Sequence, residues 1–159
     1  MNNINIVINN NNFLIRNIVY SDYDKEYLLL LKQLTYIDPE KILVNDFNNF
    51  IDTLNNNHII IVIENIDTHK IVGSITIIIE QKIIHNMGKV CHIEDVVVHE
   101  NCRGYGLGKI LVDTAINYAL TEKCYKTILD CSEKNVGFYT KHNGFEIKGC
   151  QMALYHYFF

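Results

Sequence analysis

The stretch HIEDVVVHENCRGYGLGKILVDTAI, residues His92–Ile116, decides how this chain folds. It runs from an apolar segment, a predicted strand over Gly88–Val98, through the glycine-rich Arg103–Gly108 into a predicted amphipathic helix over Leu107–Leu120. Glycines let the backbone approach a ligand and turn successive N–H groups towards it, and the helix start adds N–H donors and a positive dipole end. The pattern indicates a phosphate or pyrophosphate cradle, with Arg103 and Lys109 adding charge. The same glycines would also suit a tight strand-to-helix turn.

Other nucleotide-binding motifs do not fit this loop. The chain has no GxxxxGK[ST] and no opening βαβ unit with a dinucleotide fingerprint. The glycine loop instead lies past the middle of the chain, after strands that read as hairpins.

The rest of the chain predicts an α/β (α+β) fold. Strands that first form hairpins, one of them turning at NIDTH (65–69), and then alternate with helices imply a mixed, mostly antiparallel sheet flanked by helices. A first helix, capped by Ser21 or Asp22, continues to Leu34 at helical spacing. Residues 1–12 read as a disordered or extended tail, and residues 13–159 as a single domain. The other predicted elements are strands over Phe13–Ile18, His58–Glu64, Lys70–Glu80, Tyr125–Cys131 and Phe145–Tyr157, and helices over Asp46–Leu54 and Asn135–Lys141.

Composition excludes several classes of protein. With 159 residues, 48% hydrophobic and 20% charged, the chain is long and apolar enough to bury a core without disulfide bonds or metal ions. A net charge of −4 with no basic run argues against a nucleic-acid or anionic-membrane partner. No apolar run is long enough for a membrane span, and the start lacks the pattern of a signal peptide. Five cysteines without a CxxC pair indicate reduced thiols in a cytoplasmic compartment and no structural zinc.

The residues around the glycine loop resemble a known family. R-x-x-G-x-G at Arg103–Gly108, placed late in the chain, resembles the acetyl-CoA loop of the GNAT acetyltransferases. Within them, HIEDVVV (His92–Val98), CRGYGLGK (Cys102–Lys109) and LDCSEKNVGFYTK (Leu129–Lys141) resemble the glucosamine 6-phosphate N-acetyltransferases of UDP-N-acetylglucosamine synthesis. The likeness covers Gly73–Met152 well and Phe13–Phe50 loosely. It implies the GNAT fold, acetyl transfer from acetyl-CoA to the 2-amine of glucosamine 6-phosphate, no metal, and a homodimer, for which the apolar tail Ala153–Phe159 would suit the interface.

The resemblance also implies which residues bind acetyl-CoA. Backbone groups of the β-strand would hold the pantetheine arm and polarise the thioester carbonyl, and amides of the glycine loop would hold the pyrophosphate. The implied set is Val96, Val97, Val98, Arg103, Gly104, Tyr105, Gly106, Leu107, Gly108, Lys109, Asn135, Val136, Gly137 and Tyr139.

Three residues are the catalytic candidates that the resemblance implies. Tyr139 would donate a proton or hydrogen bond to the leaving thiolate, Asp130 would position groups beside it, and Glu94 would orient the amine and remove its proton through water. Taken alone, Tyr139 also reads as a packed aromatic in a chain with ten tyrosines, and Glu94 as a salt-bridged strand residue.

The implied sugar-phosphate pocket draws on separate segments. Its residues are Thr35, Lys82, Ile83, Ile84, His85, Glu94, Asp95, Val96, Tyr125 and Lys126. Adjacent strand residues face opposite ways, so Glu94 and Asp95 can serve one substrate only with a bulge or a backbone contact. The family usually has an arginine three residues after a methionine on its last strand, whereas here Met152 is followed three residues later by Tyr155, which carries no charge.

Two other functions fit the same residues. One is a GNAT enzyme that acetylates another amine, such as a polyamine or a protein N-terminus, and the other is an acetyl-CoA-binding module without catalysis.

Overall fold

Six strands lie side by side in chain order, β1 to β6. Their bounds are β1 Ile4–Ile8, β2 Asn11–Asn17, β3 His58–Asn65, β4 Lys70–Gln81, β5 Lys89–Val98 and β6 Cys124–Leu129. The computed structural model describes residues 3–149 and 152–153. The chain divides into two units, Met1–Leu129 and Asp130–Phe159, and the whole sheet belongs to the first.

The pairing of the strands confirms the predicted mixed sheet. β1 to β5 pair antiparallel, and β5 and β6 pair parallel. The predicted turn at residues 65–69 is confirmed, since the side-chain oxygen of Asn65 accepts hydrogen bonds from the N–H groups of Asp67 and Thr68 at 3.0 and 3.1 Å. β1 lies in the predicted tail, where Ile4–Ile8 is extended and pairs with β2.

Both faces of the sheet are apolar because isoleucine and valine fill its central strands. One face packs on a helix, α4 (Leu107–Thr121), where a Cβ added at Gly73 would lie 3.3 Å from Leu111. On the other face Ile60, Val62 and Val97 share a buried cluster with side chains of the first two helices. The sheet is therefore a layer between helices, as the sequence predicts.

The first predicted helix is wrong as a single element. A 3-10 helix, Tyr20–Lys25, is followed by Glu26 in the left-handed region (φ 62°), and only then by the short helix α1, Tyr27–Leu31. Asp22 accepts the N–H of Val19 at 2.9 Å and pairs with Arg16 at 2.6 Å. The helical spacing of the apolar residues is therefore kept only within α1, and Leu34 lies in the turn that follows it.

The remaining helices of the first unit agree with prediction more closely. α2 is Val44–Thr53 and α4 is Leu107–Thr121, each within two residues of the predicted bounds. A one-turn helix, α3 at Ile84–Met87, was not predicted, and its residues His85 and Asn86 have positive φ values.

A cluster of charges is buried beside β2 and β3. Arg16, 7% exposed, contacts the fully buried Asp22 and the nearly buried Glu64, each at 2.6 Å. Lys25 reaches the other oxygen of Glu64 at 2.7 Å. Burial acts to raise the pKa of Glu64, but the hydrogen bonds from Lys25 and Arg16 outweigh it and hold that pKa below its ordinary value.

The second unit contains helix α5, Glu133–Asn143, which extends the predicted Asn135–Lys141 by two residues at each end. The helix ends at Gly144, whose φ of 72° is left-handed. The last predicted strand, Phe145–Tyr157, is wrong over its described positions 145–149 and 152–153, which are not in a strand, and its other positions lie outside the described residues. Leu154 and Tyr155 also lie outside, as does the predicted interface tail except for Ala153.

Residues 3–149 and 152–153 contain neither a membrane-spanning helix nor a metal-binding cluster. No helix there is long and apolar enough to cross a membrane. No group of three or more His, Cys, Asp or Glu side chains there is arranged to hold a metal ion.

Candidate active site

A β-bulge interrupts β5 at Asp95. Thr76 pairs with Glu94 and Ser74 pairs with Val97, so one residue of β4 lies opposite two of β5. Asp95 has a φ of 50°, which is left-handed. A bulge of this kind is what the sequence argument required if Glu94 and Asp95 are to serve one substrate. Glu94 is half-buried and the side chain of Asp95 is exposed.

The end of β5 extends beyond its parallel neighbour. The pairing of β5 with β6 ends at Ile93↔Leu129, where β6 itself ends, while β5 continues through Glu94–Val98. Along these five residues, β6 therefore supplies no ladder partner for the backbone on that side of the strand. Extended backbone next to a missing strand offers N–H and C=O groups to a ligand that lies along it.

The glycine loop leads from this strand end into α4. Gly104 (φ 85°) and Gly106 (φ 79°) are both left-handed, and a Cβ at either would meet nothing within 4 Å. Glycine is needed here for its backbone conformation rather than for space. Gly106 caps α4, and the first intrahelical bond runs from the N–H of Ile110 to Gly106 at 3.1 Å. The N–H groups of the first turn, Leu107–Lys109, thus have no intrahelical acceptor and are available to an anion.

Two side chains fix this loop in place. The Nε of Arg103 donates to the carbonyl of Val98 at 3.3 Å, which folds the arginine back onto the end of β5. Gln33, beyond α1, accepts a hydrogen bond from the N–H of Glu100 at 2.9 Å.

The other predicted charge, Lys109, pairs with Asp113 one helical turn along α4. Of the two predicted charges, Arg103 thus serves partly as a brace for the strand end.

A tight turn between β4 and β5 gathers most of the predicted sugar-pocket residues. The N–H of Lys82 donates to Gly88 at 2.8 Å, and the exposed Ile83 and Ile84 lie between them. The ring of His85 stacks on Tyr125, with centroids 4.3 Å apart. Lys126 places its Nζ 5.7 Å from the centre of the Tyr125 ring. Thr35 lies elsewhere, exposed in the turn after α1.

Beside this turn, Glu80 binds two cations. Its carboxylate contacts the Lys82 ammonium and accepts a hydrogen bond from Nε2 of His92 at 3.0 Å. Hydrogen bonds from Lys82 and His92 lower the pKa of Glu80. Because Glu80 partly neutralises Lys82, the positive charge that this turn offers to a phosphate is reduced.

In the second unit, Tyr139 is 9% exposed and lies on α5. Its ring is 5.0 Å from that of Phe138 and 6.1 Å from that of Phe145. Burial raises the pKa of Tyr139, and Cys131 acts in the same direction. The phenol therefore stays protonated at neutral pH. Asn135 lies one turn before Tyr139 on the same helix, as predicted.

The comparisons with known proteins agree with this geometry. The model of the acetyltransferase (GNAT) family matches residues 17–145, which include β3 to β6, the glycine loop and α5. This chain belongs to the GNAT acetyltransferase family. The family resemblance predicted from Arg103–Gly108 is thereby confirmed.

Particular GNAT proteins are similar over most of the chain. Glucosamine 6-phosphate N-acetyltransferase 1 of Dictyostelium discoideum is 40% identical over 134 residues, which cover 84% of this chain and 85% of that protein. The crystal structure of glucosamine-6-phosphate N-acetyltransferase from Arabidopsis thaliana has a TM-score of 0.86 and 38% identity, over 90% of this chain and 97% of that one. A crystal structure of an acetyltransferase from Trypanosoma brucei has a TM-score of 0.78 and 33% identity, over 91% and 99% of the two chains.

A pair of buried hydroxyl residues next to the bulge was not predicted from the sequence. Tyr27 and Ser74 are buried behind the bulge, 4% and 0% exposed, with their hydroxyl oxygens 3.4 Å apart. A signal was present in the sequence: Ser74 and Thr76 are the two hydroxyl residues in the isoleucine-rich strand β4. Polar residues in a buried strand need partners, and that requirement could have directed attention to them.

Proposed function

We propose that this chain transfers acetyl from acetyl-CoA to the 2-amine of glucosamine 6-phosphate, giving N-acetylglucosamine 6-phosphate and CoA. The observation that carries the proposal is the bulged end of β5, which passes β6 and leads directly into the glycine loop. Proteins named for this reaction are 38–40% identical to the chain over most of its length. The product is a precursor for UDP-N-acetylglucosamine synthesis.

In this proposal acetyl-CoA is held mainly by backbone groups. The pyrophosphate accepts hydrogen bonds from the N–H groups of the glycine loop and of the first turn of α4, Arg103–Lys109. The pantetheine arm lies along Val96–Val98, in the position that a further strand would take. One N–H of this segment points at the thioester carbonyl. Such a donor, aimed at the developing oxyanion, stabilises the transition state by about 3–4 kcal/mol.

The amine attacks the thioester directly in a ternary complex. Glu94 orients the amine and accepts its proton through water, and Asp95 binds the sugar through its backbone at the bulge. Tyr139 gives a proton or hydrogen bond to the CoA thiolate as it leaves, with Asp130 positioning groups beside it. A phenol whose pKa is raised by burial suits this task, because it remains protonated at the pH where the amine becomes nucleophilic.

The 6-phosphate is bound by the turn between β4 and β5 and by Tyr125 and Lys126. Here the chain departs from its family, since the usual C-terminal arginine is replaced by Tyr155. The cations of this region are Lys82, Lys126 and, when protonated, His85. Glu80 offsets part of the Lys82 charge. Lys126 and His85 therefore contribute more to binding the 6-phosphate than they would if the usual C-terminal arginine were present.

Assembly and compartment are part of the proposal. Ile83, Ile84 and Met87 are 85%, 63% and 67% exposed on one turn, a cluster that suits a homodimer interface. Light scattering at micromolar concentration tests this, and a monomer would contradict it. Cys91, Cys102, Cys124 and Cys131 are free thiols, which suits a reducing compartment such as the cytoplasm.

The deciding experiment measures release of free thiol from acetyl-CoA with glucosamine 6-phosphate and with glucosamine at equal concentration. An enzyme-only blank is needed because the chain has five cysteines. Strong release with the phosphorylated sugar alone supports the proposal. Release with neither sugar, together with turnover of a polyamine or a peptide N-terminus, would favour the other GNAT reaction. Tight CoA binding without any turnover would favour a binding module.

A further inference from the structure

The bulge in β5 pairs with β4 on one side, whereas β6 ends at Leu129, opposite Ile93, before the bulge begins. Besides the β4 ladder and the hydrogen bond from Arg103 to the Val98 carbonyl, the segment Asp95–Val98 depends on what packs against its side chains to keep its N–H groups in a fixed direction. Direction matters, because a donor stabilises an oxyanion only at hydrogen-bond distance and alignment.

Two hydroxyl groups lie behind this segment. Ser74 is the direct partner of Val97 across the sheet, and its side chain is fully buried. Its oxygen is 3.4 Å from the hydroxyl of Tyr27. Tyr27 and Val97 belong to the same buried cluster, and Asp95 is close enough that its charge acts on the Tyr27 phenol.

The chain holds Tyr27 in place by an unfavourable local conformation. Glu26, immediately before it, is a non-glycine residue in the left-handed region, which costs about 1 kcal/mol. The Glu26 carboxylate is held by Lys70 of β4 at 2.6 Å. The ring of Tyr27 then packs 5.9 Å from that of Phe47. A phenylalanine would fill the same space without burying a hydroxyl, so packing alone does not explain a tyrosine here.

We propose that Tyr27 and Ser74 are positioning residues for acetyl transfer: their hydroxyl pair braces the bulged segment and aims its N–H at the thioester carbonyl. This inference rests on the proposed function for the reaction that it serves. Neither residue touches the reacting atoms. The brace acts through Val97 and the bulge, so its loss misaligns the oxyanion donor while the pyrophosphate loop keeps its own hydrogen bonds.

The test compares Tyr27→Phe, Ser74→Ala and the double variant with Tyr23→Phe. Tyr23 is the matched control, because it comes from the same segment and its hydroxyl donates to the carbonyl of Ile42 at 2.9 Å, away from the bulge. We expect kcat to fall about tenfold in either brace variant, with the KM for acetyl-CoA changed less than about twofold. The double variant should be no slower than the single ones, because both remove one shared contact.

Infrared spectroscopy gives a readout that needs no acceptor. With acetyl-CoA carrying ¹³C at the carbonyl, hydrogen bonding in the wild-type complex should lower the stretching frequency of the bound carbonyl. Tyr27→Phe and Ser74→Ala should lose part of that shift, and Tyr23→Phe should keep it. If all variants keep the full shift and kcat follows only the loss of thermal stability, Tyr27 and Ser74 are merely structural and the inference is wrong. A wild-type enzyme inactive on glucosamine 6-phosphate would overturn the proposed substrate, and the infrared comparison would still decide the brace.

Discussion

The imidazole of His85 lies against the phenol ring of Tyr125, with their centroids 4.3 Å apart and their planes tilted by 36°. His85 is on the turn after β4 and Tyr125 is on β6. Gly88 makes the contact possible, since a Cβ there would lie 3.0 Å from Tyr125 and 3.1 Å from His85. The stack joins the two segments proposed to bind the sugar phosphate.

Replacing Gly88 should therefore weaken sugar binding. Gly88 has an ordinary backbone (φ −68°), so Gly88→Ala adds a methyl group without conformational strain and pushes His85 away from Tyr125. We expect the KM for glucosamine 6-phosphate to rise about three- to tenfold, which corresponds to a loss of about 0.7–1.4 kcal/mol of binding free energy. Initial-rate kinetics measure this. Val7→Ala, on β1 at the opposite edge of the sheet with a side chain 69% exposed, is the control and should leave the KM unchanged.

Removing the Tyr139 hydroxyl should slow the chemical step. Tyr139→Phe keeps the packing on Phe138 and Phe145 but removes the proton donor to the thiolate. We expect kcat to fall by about 10²-fold with little change in the KM for acetyl-CoA. Tyr118→Phe, which loses a hydroxyl bonded to the carbonyl of Asn56 at 2.7 Å, is the control. Equal turnover in the Tyr139 variant and the wild type would remove this residue from the mechanism.

The pH profile should carry the signature of the same phenol. Activity should rise with pH as the sugar amine loses its proton. It should fall again only when Tyr139 ionises, and burial places that pKa above the ordinary value of 10.0. In Tyr139→Phe the rise should remain and the alkaline fall should disappear. Measurements of kcat/KM against pH in both proteins test this, and an alkaline fall that survives in the variant would assign it to another group.

The buried ion cluster should set the acid stability of the fold. Glu64→Gln leaves Arg16 buried with one fewer carboxylate, and breaking such a pair costs about 3–5 kcal/mol of unfolding free energy at neutral pH. The pKa of Glu64 is lowered from 4.5 in the folded protein, so its contribution is present above pH 4.5 and is lost as the pH falls through the folded-state pKa. Urea titrations at several pH values measure this, and the free energy of unfolding should fall less steeply at acid pH in the variant than in the wild type.

The control for that measurement is an exposed pair. Lys41 lies 3.2 Å from Asp38 and its side chain is 79% exposed. Lys41→Ala should change the unfolding free energy by less than about 0.5 kcal/mol. A change of the same size in Glu64→Gln would mean that burial of the cluster contributes little.

Much of the fold could be predicted because its signals are local. Isoleucine-rich runs specify β3 and β4, and helical spacing after Gly106 specifies α4 to within one residue. The start of the chain could not be predicted as well. Asp22 reads as a helix cap, and its carboxylate does accept the N–H of the N-cap residue Val19, but it also pairs with Arg16, and Glu26 ends the 3-10 helix at a left-handed residue.

The candidate site likewise has features that the sequence predicts and features that only the tertiary structure reveals. The glycine loop is visible in the sequence because a strand, glycines and a helix start are consecutive, and each acts on its neighbour's backbone. The sequence could indicate that a bulge or a backbone contact is needed at Asp95 if Glu94 and Asp95 serve one substrate. It could not show the bulge itself, because a register shift depends on the pairing of two strands. The contact between Tyr27 and Ser74 left only an indirect signal, the hydroxyl residues in β4.

By itself, then, the sequence determined the family, the strands and helices from α2 to α5 apart from the one-turn α3, and the loop that suits a pyrophosphate, because backbone conformation and N–H direction depend on residues adjacent in the chain. Only the tertiary structure decided which side chains meet: His85 with Tyr125, Tyr27 with Ser74, and Arg16 with Glu64. These contacts join elements far apart in sequence, and their geometry follows from strand register and burial, which no single segment encodes.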